Sequence, residues 1–129
     1  MTTAVMTFDI LNEGDVQSLL DEAEPAGAPL LRCAQCGHGV ADPQSRTERE
    51  GRHEHRCENP RGLVFDIGCF ASAPGCVPVG TATDEHSWFP GYGWRIAICE
   101  RCHHHLGWRF QSAGDQFFGL ILSNLKQAG

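Results

Sequence analysis

The chain has 129 residues, a length that suits one domain around one core, and its fifteen glycines and seven prolines break it into short segments. A net charge of −6 with scattered Lys and Arg denies it the basic face that a nucleic-acid binder needs to displace counterions. No apolar run approaches the ~20 residues of a membrane-spanning helix, and the first ten residues lack the basic n-region and apolar h-region of a secretory signal. Seven cysteines, an odd count that includes two CxxC pairs, then favour a metal over disulfides and a reducing, cytoplasmic location.

Residues 1–28 form an acidic tail with Asp15, Asp21, Glu22 and Glu24, ending in a Pro-Ala-Gly-Ala-Pro run. Val16, Leu19 and Leu20 have helical spacing, which predicts a short amphipathic helix starting near Asp15. The sequence texture changes at residue 29, and a single domain is predicted over 29–125, with 126–129 as a C-terminal tail. Leu30-Leu31-Arg32 leads into Cys33-Ala-Gln-Cys36-Gly37, a knuckle whose glycine turns the backbone back towards a bound metal. Residues 41–56 are polar and mixed in charge and read as a surface loop with at most a ragged edge strand, His53 and His55 being solvated.

Cys57-Glu-Asn59-Pro60-Arg-Gly62 reads as a turn, since proline fixes φ and moves Asn59 out of the helical region. Leu63 to Phe70 follows as a strand with Leu63, Phe65 and Ile67 on one face and Val64 and Phe70 on the other. Cys76-Val-Pro-Val-Gly80 is a strand that its proline confines to an edge. From His86 to Phe110 the chain reads as strand, turn, strand, cysteine knuckle, strand. Phe89-Pro-Gly-Tyr-Gly93 reverses the chain, Trp94-Arg-Ile-Ala-Ile alternates, and Trp108 and Phe110 share a strand face. Phe117 to Leu125 closes the chain as a strand or short helix packed on the core. Short strands between Gly/Pro turns make this an all-β domain of packed sheets.

Cys33, Cys36, Cys99 and Cys102 form CxxC…CxxC, whose four thiolates fill the tetrahedral shell of one zinc ion and leave no position for water or substrate. The predicted zinc is therefore structural, worth on the order of 10 kcal/mol of folding free energy. Cys99-Glu-Arg-Cys102-His103 also fits a haem-attachment motif, but export is not indicated. Redox-active pairs explain the cysteines less well than one shared ion. His103 to His105 read as a solvated cluster beside the knuckle, and Cys57, Cys69 and Cys76 as buried or idle thiols.

Trp88, Trp94 and Trp108 fall within 21 residues of one another. Tryptophans are usually core, but two of these bracket a Pro-Gly turn at the end of a sheet and the third follows a rigid knuckle. They predict an aromatic box open to solvent. Such a box suits a quaternary ammonium held by the ring faces, with Asp84 and Glu85 nearby, or a small flat neutral ring oriented by backbone N–H and C=O groups.

His86-Ser87-Trp88-Phe-Pro-Gly-Tyr-Gly-Trp94, Cys99-Glu-Arg-Cys102, His105-Leu-Gly-Trp108-Arg-Phe110 and Phe118-Gly-Leu120 together resemble the cereblon-type thalidomide-binding (CULT) domain. Cys33-x-x-Cys36 and Asn59-Pro60-x-Gly62-x-x-Phe65 match upstream, so the resemblance runs from about Leu30 to Leu125, and in size the chain is similar to single-domain bacterial members. It implies a β-tent, two antiparallel sheets meeting at an angle and pinned by one structural Cys₄ zinc. It also implies a non-catalytic receptor for cyclic imides such as glutarimide and thalidomide-type ligands; by chemical similarity, peptide ends carrying a cyclic imide and uracil-like rings present the same imide edge. Trp88, Trp94 and Trp108 would then be walls, Phe110 the base, and Asn59, Pro60 and Phe65 the open side. Backbone groups around His86, Ser87 and Trp88 would bond the imide.

Cereblon-type proteins place a Lon-like domain ahead of this one for joining a ubiquitin ligase, and about 28 residues of tail stand in its place here. Adaptor function is therefore not expected. Cys99-x-x-Cys102-His-His-His105-Leu-Gly is also similar to type B methionine sulfoxide reductases, which would make the protein an enzyme. Those enzymes carry their nucleophile on a strand after the second knuckle, and no cysteine follows Cys102.

Overall fold

The structure, a computed structural model, describes residues 30–127. The acidic tail and its predicted helix near Asp15 lie outside the described residues. Nine strands are present among the described residues: β1 (Leu31–Cys33), β2 (Gly39–Ala41), β3 (Glu54–Glu58), β4 (Val64–Phe70), β5 (Cys76–Thr83), β6 (Gly93–Cys99), β7 (His105–Gln111), β8 (Gln116–Ile121) and β9 (Leu125–Gln127). They form two antiparallel sheets, a three-stranded one in the order β9-β1-β2 and a six-stranded one in the order β3-β4-β8-β7-β6-β5. The all-β, two-sheet architecture is the one predicted, and among the described residues no helix is long and apolar enough to cross a membrane.

The large sheet buries both its faces, which follows from its alternation. Phe70, Ala97, Leu106, Phe118 and Leu120 pack with Leu31, Val40 and Ala41 of the small sheet. Ile67, Cys69, Phe110, Phe117 and Ile121 point the other way and pack under Phe89. Because successive side chains alternate across a strand, the predicted split of β4 into two faces holds: Ile67 and Phe70 lie in different clusters. β5, with Pro78, is an edge strand as its proline requires.

Three expectations need correction. The turn predicted from Cys57 begins later, because Glu54–Glu58 is a paired strand, the edge strand allowed for in residues 41–56, which also carry a 3₁₀ turn at Pro43–Ser45 capped by Asp42. His55 is not solvated. It is 7% exposed, and its Nε2 lies 3.0 and 3.1 Å from the carbonyl oxygens of Arg49 and Arg52. Both partners are acceptors, so that nitrogen carries the proton and pins the 49–52 turn. Finally, Lys126 and Gln127 belong to β9, paired with Arg32 and Leu31, so strand pairing takes up residues assigned to the tail.

Candidate functional site: a thiolate cluster and an aromatic cavity

The two cysteine knuckles sit in different sheets, one between β1 and β2 and the other between β6 and β7. Each closes on itself in the same way. The N–H of Gly37 donates to the carbonyl of Cys33 at 2.8 Å, and that of His103 to the carbonyl of Cys99 at 2.9 Å. The turn needs a left-handed residue, and Gly37 has φ +81°, the region where a Cβ is costly. His103 takes the equivalent place at φ +68°. The N–H of Arg101 donates to Cys99 Sγ at 3.4 Å, which orients that sulfur towards the other knuckle's ligands.

Cys33, Cys36, Cys99 and Cys102 bring their sulfurs within 4.8 Å of one another. Cys33–Cys102 and Cys36–Cys99 are each 3.6 Å apart, across the two knuckles. A disulfide would need ~2.05 Å, whereas four Zn–S bonds of ~2.3 Å give a tetrahedron with edges of about 3.8 Å. The donor set and its spacing fit one zinc ion with its coordination filled by protein. His38 Nε2 and Glu100 Oε2, 2.7 Å apart, link the two knuckles a second time at the surface.

On the other face of the large sheet lies a cavity of about 550 Å³, within the usual range for small-molecule sites. Trp88, Trp94 and Trp108 all line it, with Phe110 and Phe65. Trp94 and Phe110 are cross-strand partners on β6 and β7, as are Ile96 and Trp108, so register alone delivers four lining side chains to one face. Trp88 and Trp108 meet edge to face at 4.8 Å, and Phe65 meets Trp108 at 5.2 Å. Phe110 is 1% exposed and stacks on Phe117 at 5.1 Å, so the floor of the cavity is also the top of the core.

The walls are held by hydrogen bonds that leave the ring faces free. Trp88 Nε1 donates to the carbonyl of Glu58 at 3.0 Å and Trp94 Nε1 to that of Glu85 at 2.9 Å. The chain between them turns at Phe89-Pro90-Gly91-Tyr92, where the N–H of Tyr92 donates to the carbonyl of Phe89 at 3.0 Å and Gly91 has φ +90°. Proline followed by a left-handed glycine is the type II arrangement. Across the mouth, Asn59 and Pro60 line the cavity. Asn59 Oδ1 accepts from the N–H groups of Arg61 and Leu63, both at 2.9 Å, so this side chain is committed to shaping its own turn.

Of the residues singled out in the sequence, Ser87 does not line the cavity. Its hydroxyl turns inward, donating to the carbonyl of Phe89 at 3.1 Å and accepting from its N–H at 3.3 Å. It anchors the loop to buried Phe89 instead. His86, beside it, has φ +57°, a left-handed conformation that costs a non-glycine residue energy and is often found at functional sites. Among the described residues, no group pairs with the carbonyl of His86 or the N–H of Trp88.

Glu85, expected beside the box, lines the cavity, and so do Leu63, Ile96, Thr83, Arg61 and His105, which the sequence does not single out for it. Leu63 and Ile96, 55% and 39% exposed, are apolar side chains at a mouth rather than in a core. Period-two alternation from Trp94 through Ile96 was the available signal. The sequence predicts that His105 is solvated, and the structure corrects this. It is half-buried, edge-on to Trp108 at 4.8 Å, with Nε2 donating to the carbonyl of Gly107 at 3.0 Å.

Burial holds the His105 pKa below the usual histidine value, and the Gly107 carbonyl only partly opposes this. A depressed folded pKa means that the unfolded chain takes up this proton first. The stabilisation from neutral His105 is therefore fully present above the unfolded value of 6.5 and is lost as pH falls below it. NMR titration of the His105 ring is expected to give a midpoint under 6.5; a midpoint at or above that value would contradict the burial argument.

Comparison with known proteins gives the same direction. No family model matches the chain. Over 72 residues, 52% of this chain, it is 38% identical to "Protein cereblon" of Danio rerio and likewise to that of Gallus gallus. Over 52 residues, 36% of this chain, it is 44% identical to "Protein cereblon" of Drosophila virilis. The aligned parts are 17%, 16% and 8% of those proteins, so the chain spans a small fraction of the relatives it matches. A sheet pair that can be pinned by one Cys₄ zinc, an aromatic cavity on the sheet face and this sequence identity agree: the chain carries a cereblon-type domain.

Proposed function

We propose that the aromatic cavity is a receptor site for cyclic imides such as glutarimide and its thalidomide-type derivatives, and that the protein binds rather than transforms its ligand. The observation that carries this reading is the set of three tryptophans lining one cavity beside a loop whose His86 carbonyl and Trp88 N–H lack partners among the described residues. Flat ring faces take up a small saturated ring by dispersion. The imide edge, C=O/N–H/C=O, offers one donor flanked by two acceptors, complementary to a backbone carbonyl and N–H at the rim. Inside a largely dry cavity, a hydrogen bond left unmade costs about 1–3 kcal/mol, so the imide N–H would dominate selectivity.

The thiols support a binding role. Burial pushes Cys57 and Cys69 up to about 11 and Cys76 up to about 12. At neutral pH they are protonated, poor nucleophiles, and none of them lines the cavity. This counts against the sulfoxide reductase reading. A methylammonium cage draws on the same three ring faces and on Glu85 in the lining.

Titration of intrinsic tryptophan fluorescence separates the readings. Saturable quenching is expected with glutarimide, with affinity at least tenfold weaker for N-methylglutarimide, whose donor is blocked. Equal affinity for both compounds would refute the imide reading. Quenching by trimethyllysine would move the assignment to the cation cage, and turnover of methionine sulfoxide to the enzyme.

A further inference from the structure

The back of the same sheet carries a second constellation, facing away from the aromatic cavity. Arg95 on β6 and Arg109 on β7 are direct cross-strand partners, so their side chains leave the sheet on the same side. Two like charges placed directly opposite are destabilising, and this pair occurs in a chain of net charge −6. Among the described residues neither guanidinium is paired with a carboxylate; the ion pairs there involve His38, Arg49 and Arg56 instead.

Arg95 is partly satisfied by main chain. Its Nε donates to the carbonyl of Gly80 at 3.0 Å and its Nη2 to that of Pro78 at 3.2 Å, which holds the guanidinium against edge strand β5. Arg109 is less well served. One Nη donates to Gln111 Oε1, while its Nε is buried and has no acceptor among the described residues. Guanidinium Nε–H is a strong donor, and a buried one without a partner costs as much as a lost charged hydrogen bond.

Between these groups is a small cavity of about 110 Å³, lined by Ala82, Gly93, Trp94, Arg95, Arg109 and Gln111. That is room for three to four waters at roughly 30 Å³ each, or for one small anion. Gly93 contributes no side chain, and Gln111 orients the Arg109 guanidinium by accepting from one Nη.

We propose that Arg95, Arg109 and Gln111 form a site for a small oxyanion, a phosphate or carboxylate group that bridges the two guanidinium ions and accepts from Arg109 Nε. The anion would relieve the cross-strand repulsion and satisfy the orphan donor in one step. Planar guanidinium groups match oxyanions in this manner better than ammonium groups do.

The test uses the full chain, titrated with inorganic phosphate and separately with acetate, each against sodium chloride at equal ionic strength. The readouts are the Nε–Hε resonances of Arg95 and Arg109 and the melting temperature. Saturable movement of the Arg109 Nε–Hε signal, with a rise in melting temperature, is expected from at least one oxyanion and not from chloride. The arm that saturates at lower concentration identifies the source chemistry, phosphate or carboxylate. Arg109→Gln and Arg95→Gln should each weaken binding by tenfold or more, as loss of a charged hydrogen bond implies. Arg46→Gln, an exposed arginine elsewhere, should not. Identical responses to oxyanion and chloride, no response of the wild-type Nε–Hε signals, or equal weakening by Arg46→Gln would each overturn the site.

Discussion

Stripping zinc from the folded protein is expected to unfold it and to abolish the tryptophan cavity together with the metal site. The small sheet offers the large one few apolar side chains: Leu31, Val40 and Ala41, with Leu125 partly buried. Burying a Leu or Val stabilises by about 1.5–3 kcal/mol each, and the entropy of ordering the small sheet, at about 1–2 kcal/mol per residue, is of the same size or larger. A Cys₄ zinc adds on the order of 10 kcal/mol, comparable with the whole stability of an ordinary domain. The metal term therefore decides whether the two sheets stay together. Incubation with a strong chelator should shift tryptophan emission to the red and remove the cooperative thermal transition, and Cys36→Ser should do the same in part. An unchanged melting curve after stoichiometric zinc loss would show that the thiolates are not the staple.

Trp94→Ala is expected to abolish ligand binding while leaving the fold intact, whereas Trp108→Ala should damage both. The difference follows from burial. Trp108 is 9% exposed and packs against Trp88, Phe65 and His105, so its truncation opens the core and should cost about 3–5 kcal/mol of stability. Trp94 is half-exposed, makes one hydrogen bond to the Glu85 carbonyl and lies at the cavity wall. Its removal should cost little stability but weaken binding by about thirtyfold to a thousandfold, as expected for loss of an aromatic anchor worth about 2–4 kcal/mol. Calorimetric titration of the two variants with glutarimide, alongside their thermal melts and zinc contents, checks both halves. Undiminished affinity in Trp94→Ala would remove the tryptophan cage from the proposal.

The split between these two tryptophans was not legible in the sequence. Trp88, Trp94 and Trp108 look alike as letters, and whether each is a wall or a piece of core depends on how deep its strand position lies. Phe110 shows the same ambiguity resolved in both directions at once, since it floors the cavity and belongs to the core. Ser87, adjacent to two lining residues, turns inward to bond Phe89, because a turn residue's direction is set by local φ/ψ and not by a strand's alternation. His55 and His105 were misjudged for a related reason. Each bonds a carbonyl only two to six residues away, but its burial comes from packing against Phe89 or Trp108, which spacing along the chain does not reveal.

The strand expected at His86–Trp88 is irregular chain, but alternation, proline and spacing alone specify the strands at 64–70, 93–99 and 105–111, the edge position that Pro78 imposes, the turn at Pro90-Gly91 and the four thiols that can hold zinc. Each of these is a local matter: alternation, fixed φ, left-handed glycine and ligand spacing act within a few residues. Which sides of those strands meet depends on the folded arrangement, which brings Ile96, Leu63 and His105 to the tryptophans in front and makes Arg95 and Arg109 cross-strand partners behind. Cross-strand register and the joining of two sheets at a thiolate cluster are long-range conditions, met by pairing residues far apart in the chain.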